Sequence, residues 1–242
     1  MNEIRIDANG VPHLSSTDIE MKAEEVIELF NPQVLRHHCE TPILSFIEET
    51  AQRYNVIFDP KRDLGSNSHG NKILGKFCFS PRAILVDKSV EGEPQQKFIL
   101  GHEFGHLVLH RKSQVKKHVY DDVDISDVDR DFVTGKRVLS SPRDWLEWQA
   151  NRFSSAILMP RATLQDALIE VQKTLEIHTN VGLIYLDDEA YNYRDFQSTL
   201  ELLRSVYQVT KTNLEIRLSD LGLLIDVRGK STKHISELLM EE

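Results

Sequence analysis

Residues 98–110 read FILGHEFGHLVLH, and they are the most informative stretch of the chain. It contains the pattern H-E-x-x-H as His102, Glu103 and His106. In a helix, residues four apart lie on the same face, about 6 Å apart along the axis. Two imidazoles so placed can bind one metal ion, and Glu103 can reach a water on that metal. The pattern therefore predicts the helix of a zinc hydrolase with Glu103 as general base.

The alternative is an ordinary buried helix that carries two histidines and a glutamate by chance. The apolar residues on both sides of the motif predict that the helix is buried. A buried helix does not hold two imidazoles and a carboxylate together unless they are paired or bind a metal. The flanking sequence therefore favours the metal site.

Composition and charge narrow the class of protein. The 242 residues carry a formal net charge of −9, which argues against a protein that mainly binds nucleic acid. Cys39 and Cys78 are far apart and in no C-x-x-C pair, so we expect reduced thiols and no structural zinc site. The N-terminus has no apolar signal region and no run approaches 18 apolar residues. We expect a soluble, cytoplasmic protein without membrane contact.

Hydrophobic periodicity predicts the element order helix, helix, strand, strand, strand, metal helix. The second helix should begin at Thr41-Pro42, with Thr41 as its N-cap. The strands are expected at 56–58, 76–80 and 83–86. We take residues 83–86 as an edge strand that holds an extended peptide substrate, while an internal position is equally open.

The third metal ligand has to come from outside this helix. His110 lies about 12 Å along the axis from His102 if the helix continues, so it fails on geometry. It is interpreted as a histidine at the helix C-terminus. The following stretch, 111–141, starts basic and turns acidic, and we interpret it as a flexible, solvated insertion.

The next helix offers a ligand. Ser141 is its expected N-cap, followed by Pro142 and by an acid, Asp144, at the third position. Glu147 lies beside the apolar stripe of this helix and completes a His-His-Glu set, with Asp144 as a rival. Asn151, one turn after Glu147, is placed to hydrogen-bond a ligand. From spacing alone, a surface position of Glu147 remains open.

At this point the sequence resembles a known family. The motif at 102–106, followed by EWQANRFSSAILMP at 147–160, is similar to the ImmA/IrrE metallopeptidases, whose second motif is E-x-x-A-N-x-F-A-x-x-L-L-M-P. Ser154 and Ile157 depart mildly from it, and the interval between His106 and Glu147 is longer than the family leads us to expect. The resemblance spans roughly residues 20–225. It implies that the zinc ligands are His102, His106 and Glu147, and that Glu103 is the base.

The C-terminal part has the outline of a helix-turn-helix, with helices expected at 196–206 and 211–221 and Thr210 as cap of the second. A DNA-reading helix would expose several basic residues. Here Lys211 and Arg217 are accompanied by Glu215 and Asp220, so the sequence argues against direct DNA binding.

The sequence therefore predicts an α+β fold. Residues 17–160 are expected to form a zincin-like peptidase core, and residues 161–242 a mainly helical, helix-turn-helix-like region. The core should contain a small mixed sheet, the H-E-x-x-H helix, a second ligand helix and the flexible insertion at 111–141. The expected function is that of a zinc endopeptidase of narrow substrate specificity, in which Glu103 activates a zinc-bound water. The resemblance implies a regulatory substrate, a helix-turn-helix repressor of stress or mobile-element genes. The alternative is a binding module that keeps the fold, binds a repressor, antitoxin or DNA, and cleaves nothing.

Overall fold

The computed structural model describes residues 5–67, 70–110, 139 and 141–229. It confirms the α+β class. The helices in the described residues are α1 (Ser16–Phe30), α2 (Ile43–Tyr54), α3 (Gln96–His110), α4 (Pro142–Leu158), α5 (Arg161–Thr174), α6 (Ala190–Tyr207) and α7 (Lys211–Asp220). The strands are β1 (Ile57–Arg62), β2 (Gly75–Phe79), β3 (Arg82–Asp87), β4 (Ile184–Leu186) and β5 (Leu224–Asp226). The predicted insertion at 111–141 lies outside the described residues, apart from Leu139 and Ser141.

The first three strands form one sheet in the order β1-β3-β2. Strand β1 runs parallel to β3, with Ile57 opposite Ala83, and β2 runs antiparallel to it, with Phe77 opposite Ile84. The expectation that residues 83–86 form an edge strand is therefore wrong, because β3 is paired on both sides. The physical reason lies in its composition: a continuous apolar run suits a strand that is covered on both faces and has neighbours on both edges.

Helices α3 and α4 pack against each other through two glycines that allow close approach. A Cβ at Gly101 would lie 2.5 Å from Ser154 Oγ, and one at Gly105 would lie 3.2 Å from Ala150 Cα. The Ser154 hydroxyl donates a hydrogen bond to the Phe98 carbonyl across this contact, at 2.8 Å. The metal motif and the second family motif therefore lie on two helices in backbone-to-backbone contact.

The main hydrophobic core cluster extends from Leu14 near the N-terminus to Leu218 in α7, and a smaller cluster joins Val11 to Leu146. A buried ion pair fastens α7 to the rest of the main cluster. Arg217 is fully buried, pairs with Glu20 of α1 through both guanidinium nitrogens, and donates through Nε to the Met159 carbonyl at 3.0 Å. Three elements that are far apart in sequence therefore meet at one side chain.

The predicted N-cap of α2, Thr41, is wrong because its side chain bonds elsewhere in the fold. Helix α2 begins at Ile43, and Thr41 makes no cap hydrogen bond. Its hydroxyl instead donates to the Ile157 carbonyl at the end of α4, at 2.8 Å. A buried carbonyl at a helix end needs a donor, and Thr41 supplies it.

Two helices, α6 and α7, cover the positions where the sequence predicts them, and Thr210 caps α7 by accepting from the Asn213 N–H. The sequence analysis misses the two-stranded parallel sheet beside them, in which Ile184 lies opposite Leu224. Strands of three residues leave no period from which to infer them. Within the described part of the chain, none of the helices combines the length and apolar character needed to cross a bilayer.

Candidate metal centre

Three potential ligand side chains converge between α3 and α4. His102 and His106 project from the same face of α3, and their Nε2 atoms lie 3.0 Å apart. Glu147 of α4 places Oε2 at 3.2 Å from His102 Nε2 and Oε1 at 3.7 Å from His106 Nε2. One ligand atom from each residue lies within 4.8 Å of the others, and all three residues are buried. The arrangement suits a metal ion with three protein ligands and one open position.

Local sequence fixes where Glu147 projects. Helix α4 starts with a capping box, in which Asp144 N–H donates to Ser141 Oγ and Ser141 N–H donates to Asp144 Oδ2 at 2.9 Å. Glu147 follows about one turn later and points toward α3. The rival ligand Asp144 is held in the cap and is absent from the His102, His106 and Glu147 group.

Asn151 determines the orientation of His102. Its Oδ1 lies 2.8 Å from His102 Nδ1, so that nitrogen donates and carries the proton. In the neutral imidazole, Nε2 then presents its lone pair to the Glu147 carboxylate and to His106. Electron-rich atoms facing one another in a buried site require a cation between them. The donor set of two imidazole nitrogens and a carboxylate fits a metal such as zinc.

The rings of His110 and Phe77 lie next to the ring of His106. Its Nδ1 lies 3.1 Å from Nδ1 of His110, which is the last residue of α3 and fully buried. The ring of Phe77 in β2 stacks parallel to the His106 ring at a centroid distance of 6.2 Å. The sequence analysis interprets His110 as a histidine at the helix C-terminus and misses its contact with His106. The i, i+4 spacing of the two histidines was the available signal.

Charges in the site are strongly coupled. Burial disfavours the charged form of His102, but its hydrogen bond to Glu147 and the negative charge of that residue outweigh burial and raise the pKa of His102 to about 9. Burial opposes ionisation of Glu147 too, yet its histidine neighbours lower its pKa to about 2. The negative charge of Glu147 therefore favours a positive charge, from a proton or a metal ion, beside His102 Nε2.

Glu103 lies beside this group and lacks a hydrogen-bond partner among the described residues. It is fully buried, and within the described part of the chain neither carboxylate oxygen has a hydrogen-bond partner. Burial raises its pKa to about 8, with Glu147 adding to the rise and His102 opposing it. A carboxylate with a pKa in this range can both accept and return a proton near neutral pH.

The chain is similar to known proteins. The sequence model of the Peptidase_M78 family, described as the IrrE N-terminal-like domain, matches residues 66–219. No curated protein matches the chain. Among solved structures, a Mycobacterium tuberculosis transcriptional regulator is similar at 14% identity and a TM-score of 0.49, over 84% of this chain and 55% of the regulator.

The chain thus spans about half the length of that regulator. The family match, in contrast, includes both helices of the candidate metal centre. Family members are metallopeptidases by classification, in agreement with the His102, His106 and Glu147 group. Since the match covers more than half of the chain, the protein belongs to the Peptidase_M78 family, the ImmA/IrrE-like family that its two motifs indicate.

Proposed function

We propose that this protein is a zinc-dependent endopeptidase of narrow specificity. One observation carries the proposal: three buried donor atoms, from His102, His106 and Glu147, converge beside a buried carboxylate, Glu103, that has no partner in the described residues. A site that served only to hold a metal would gain nothing from a fourth side chain that is an acid without a hydrogen-bond partner in the described residues, because burying such a group costs free energy.

Each residue has a separate task in this proposal. His102, His106 and Glu147 would hold Zn²⁺, which when bound lowers the pKa of a water toward about 7 and polarises the scissile carbonyl. Glu103 takes the proton from the attacking water as the new C–O bond forms. It then passes this proton to the amine as the C–N bond breaks. Asn151 holds the ring of His102 in the orientation that this arrangement needs.

The substrate would bind along β2 as an extended peptide. Among the described strands β2 pairs with β3, and we place an extended peptide along the opposite edge of β2, held by main-chain hydrogen bonds. Phe77 of β2 contacts the ring of His106, so this edge passes beside the metal donors. The role that the sequence analysis gave to residues 83–86 therefore moves to β2. Hydrogen exchange tests it, since a bound peptide should slow exchange of amides in β2 and not in β1.

The proposed substrate is a helix-turn-helix repressor or a similar regulatory protein in the cytoplasm. The resemblance to ImmA/IrrE proteins supports this class of substrate. In this proposal, residues 17–160 form the zincin-like core and residues 161–242 the helix-turn-helix-like region. Arg217 supports protein recognition over DNA reading, because this basic residue of α7 is buried against Glu20 and cannot reach a phosphate. The net charge of −9 also argues against DNA binding, because the DNA backbone is negatively charged.

Metal analysis is the first test. Wild type and Glu147→Ala are purified without added metal or a metal-binding tag, with Asp144→Asn as a matched control one turn away. We expect about one zinc per chain in wild type and Asp144→Asn, and most of it lost in Glu147→Ala. Full zinc in Glu147→Ala, or no zinc in wild type after zinc is offered, would remove the proposed centre.

Cleavage is tested with Glu103→Gln, which keeps the three donors and removes the base. Protein N-termini are compared between cells that express wild type and cells that express the variant. New N-termini in one or a few proteins, present with wild type alone, are the expected result. Zinc-loaded wild type that produces none, yet retains a regulatory protein on affinity purification, would favour the non-cleaving binding module.

A further inference from the structure

Two buried polar side chains beside the metal donors have no task in the proposed reaction. His110 and Gln149 are both fully buried, one at the end of α3 and the other in the middle of α4. Neither belongs to the group of three ligands. Burying an imidazole and an amide costs free energy unless each finds hydrogen-bond partners.

The orientation of the Gln149 amide is decided by the N-terminal segment. Its Nε2 donates to the Pro12 carbonyl at 2.7 Å, and a carbonyl can only accept, so the assignment of the amide nitrogen is forced. Pro12 is held by a hairpin in which Asp7 N–H donates to the Val11 carbonyl at 3.0 Å and His13 N–H donates to the Arg5 carbonyl at 2.8 Å. Gln149 Oε1 is therefore the atom of this amide that is left to accept from another group.

That acceptor and one nitrogen of His110 complement each other. Gln149 Oε1 and His110 Nε2 are buried, and neither has a partner at hydrogen-bond distance among the described residues. The Gln149 side chain is nevertheless close enough to act on the His110 ring as a hydrogen-bonding group. A small side-chain rotation that joins the two atoms directly makes a hydrogen bond only if His110 carries its proton on Nε2, because the amide oxygen can only accept.

His106 is the next residue in this chain of contacts. With the proton on Nε2, His110 Nδ1 is an acceptor, and it lies 3.1 Å from His106 Nδ1. His106 must then donate from Nδ1, which leaves the lone pair of its Nε2 facing His102 and Glu147. This is the form that a metal ligand needs, and support of this kind keeps the ligand ring oriented.

We infer that Gln149 and His110 are positioning residues that fix the tautomer and orientation of His106 as a metal ligand, with the Pro12 carbonyl as the fixed end of the relay. The inference rests on the metal centre of the proposed function. The two histidine ligands are thus supported differently: His102 directly by Asn151, and His106 through a relay that ends in the N-terminal hairpin. Pro12 lies before the region that the family match covers, so this support is contributed from outside it.

Imidazole ¹⁵N chemical shifts of the full chain test the relay without any substrate. They distinguish a protonated from an unprotonated ring nitrogen, and we read them for His110 in zinc-free and zinc-loaded protein. Wild type should show the proton on Nε2 in both forms, and Gln149→Leu should show a mixture of tautomers. A proton on His110 Nδ1 in wild type would overturn the relay whether or not the protein binds zinc.

Zinc affinity, measured by competition with a chelator, gives the second readout. Gln149→Leu and His110→Leu should each weaken binding roughly 10–100-fold, as loss of a ligand's hydrogen-bond partner does. His110→Asn places an amide oxygen near the position of the lost Nδ1 and should restore most of the affinity. Gln172→Leu is the matched control: Gln172 is also buried and makes hydrogen bonds to residues 180, 182 and 183, away from the metal donors.

The outcomes separate this inference from the proposed function. Wild type that binds no zinc would refute the metal centre itself. Tight zinc binding in wild type that Gln149→Leu and His110→Leu leave unchanged would refute only the relay. An equal loss of affinity in Gln172→Leu would mean that the effect reflects general destabilisation, and would overturn the relay as well.

Discussion

Replacing Gly105 by alanine tests how closely the two ligand-bearing helices must approach. Gly105 lies in α3 between His102 and His106, and α4 carries Glu147. A Cβ at this position would lie 3.2 Å from both Cα and the carbonyl oxygen of Ala150, and 3.1 Å from a ring carbon of Phe153. Two of these atoms are backbone, so the new methyl group can be accommodated only if α3 and α4 move apart by a few tenths of an ångström.

Two free-energy terms oppose each other in this variant. Alanine is favoured over glycine inside a helix by about 1 kcal/mol. Forcing an extra methyl group into a close-packed interface costs roughly 1–3 kcal/mol. We therefore expect the metal-free variant to lose about 1 kcal/mol of stability. Zinc affinity should fall about tenfold, because the separation of the helices moves the two imidazoles away from the carboxylate.

Urea unfolding of metal-free protein gives the stability, and chelator competition gives the affinity. Gly101→Ala is the matched comparison, because its nearest contact is the Ser154 side chain at 2.5 Å. Adding Ser154→Gly should relieve Gly101→Ala, whereas no single side-chain replacement should relieve Gly105→Ala. A Gly105→Ala protein that is about 1 kcal/mol more stable than wild type and binds zinc equally well would refute the close approach, since propensity alone would then act.

Three further predictions concern other charged groups. Arg217→Met should lower the free energy of unfolding in urea by about 3–5 kcal/mol, because it leaves Glu20 unpaired. Removal of the exposed Arg53–Glu49 ion pair should lower it by less than about 1 kcal/mol. Equal losses of stability would contradict the role of the buried pair. Zinc must displace a proton from His102, whose pKa is raised to about 9. Zinc affinity should therefore rise about tenfold from pH 7 to 8 and level off above pH 9. An affinity that does not change with pH would show that zinc displaces no proton from His102. Burial raises the pKa of Asp87, but hydrogen bonds from the Ser89 hydroxyl, from the Leu64 and Ser89 N–H groups and from Lys72 outweigh burial and hold that pKa low. Asp87→Asn should cost about 1–3 kcal/mol at pH 7. In urea unfolding, this difference should shrink as the pH falls below about 4, the unfolded-state pKa of Asp, toward the lower pKa of the folded protein.

Local features of the chain were predictable where their cause lies within a few residues. The H-E-x-x-H spacing places His102 and His106 on one face because helix geometry has a fixed period. The capping box at Ser141 and Asp144 fixes the start of α4, and from that start the direction of Glu147 follows. The family resemblance, which the family match confirms, rests on the same two short segments.

Features that depend on which surfaces meet were not predictable. Thr41 has the sequence of an N-cap, but its hydroxyl is used by the Ile157 carbonyl, 116 residues away in the chain. Strand β3 was expected at an edge, yet β1 and β2 pair on either side of it. Strand pairing is chosen among distant segments by burial of their faces, and single-strand patterns do not encode the partner.

The amino-acid sequence is sufficient to predict the helices, the residues that share a face of each helix, and the chemical class of the candidate site. The folded structure is needed to see that Glu147 lies 3.2 Å from His102, that Asn151 and His110 contact the two imidazoles, and that Gln149 donates to the Pro12 carbonyl. The reason is the range of the interactions. Helix period and capping act over one turn, whereas a metal centre and its support join helices whose approach is set by the packing of the whole core.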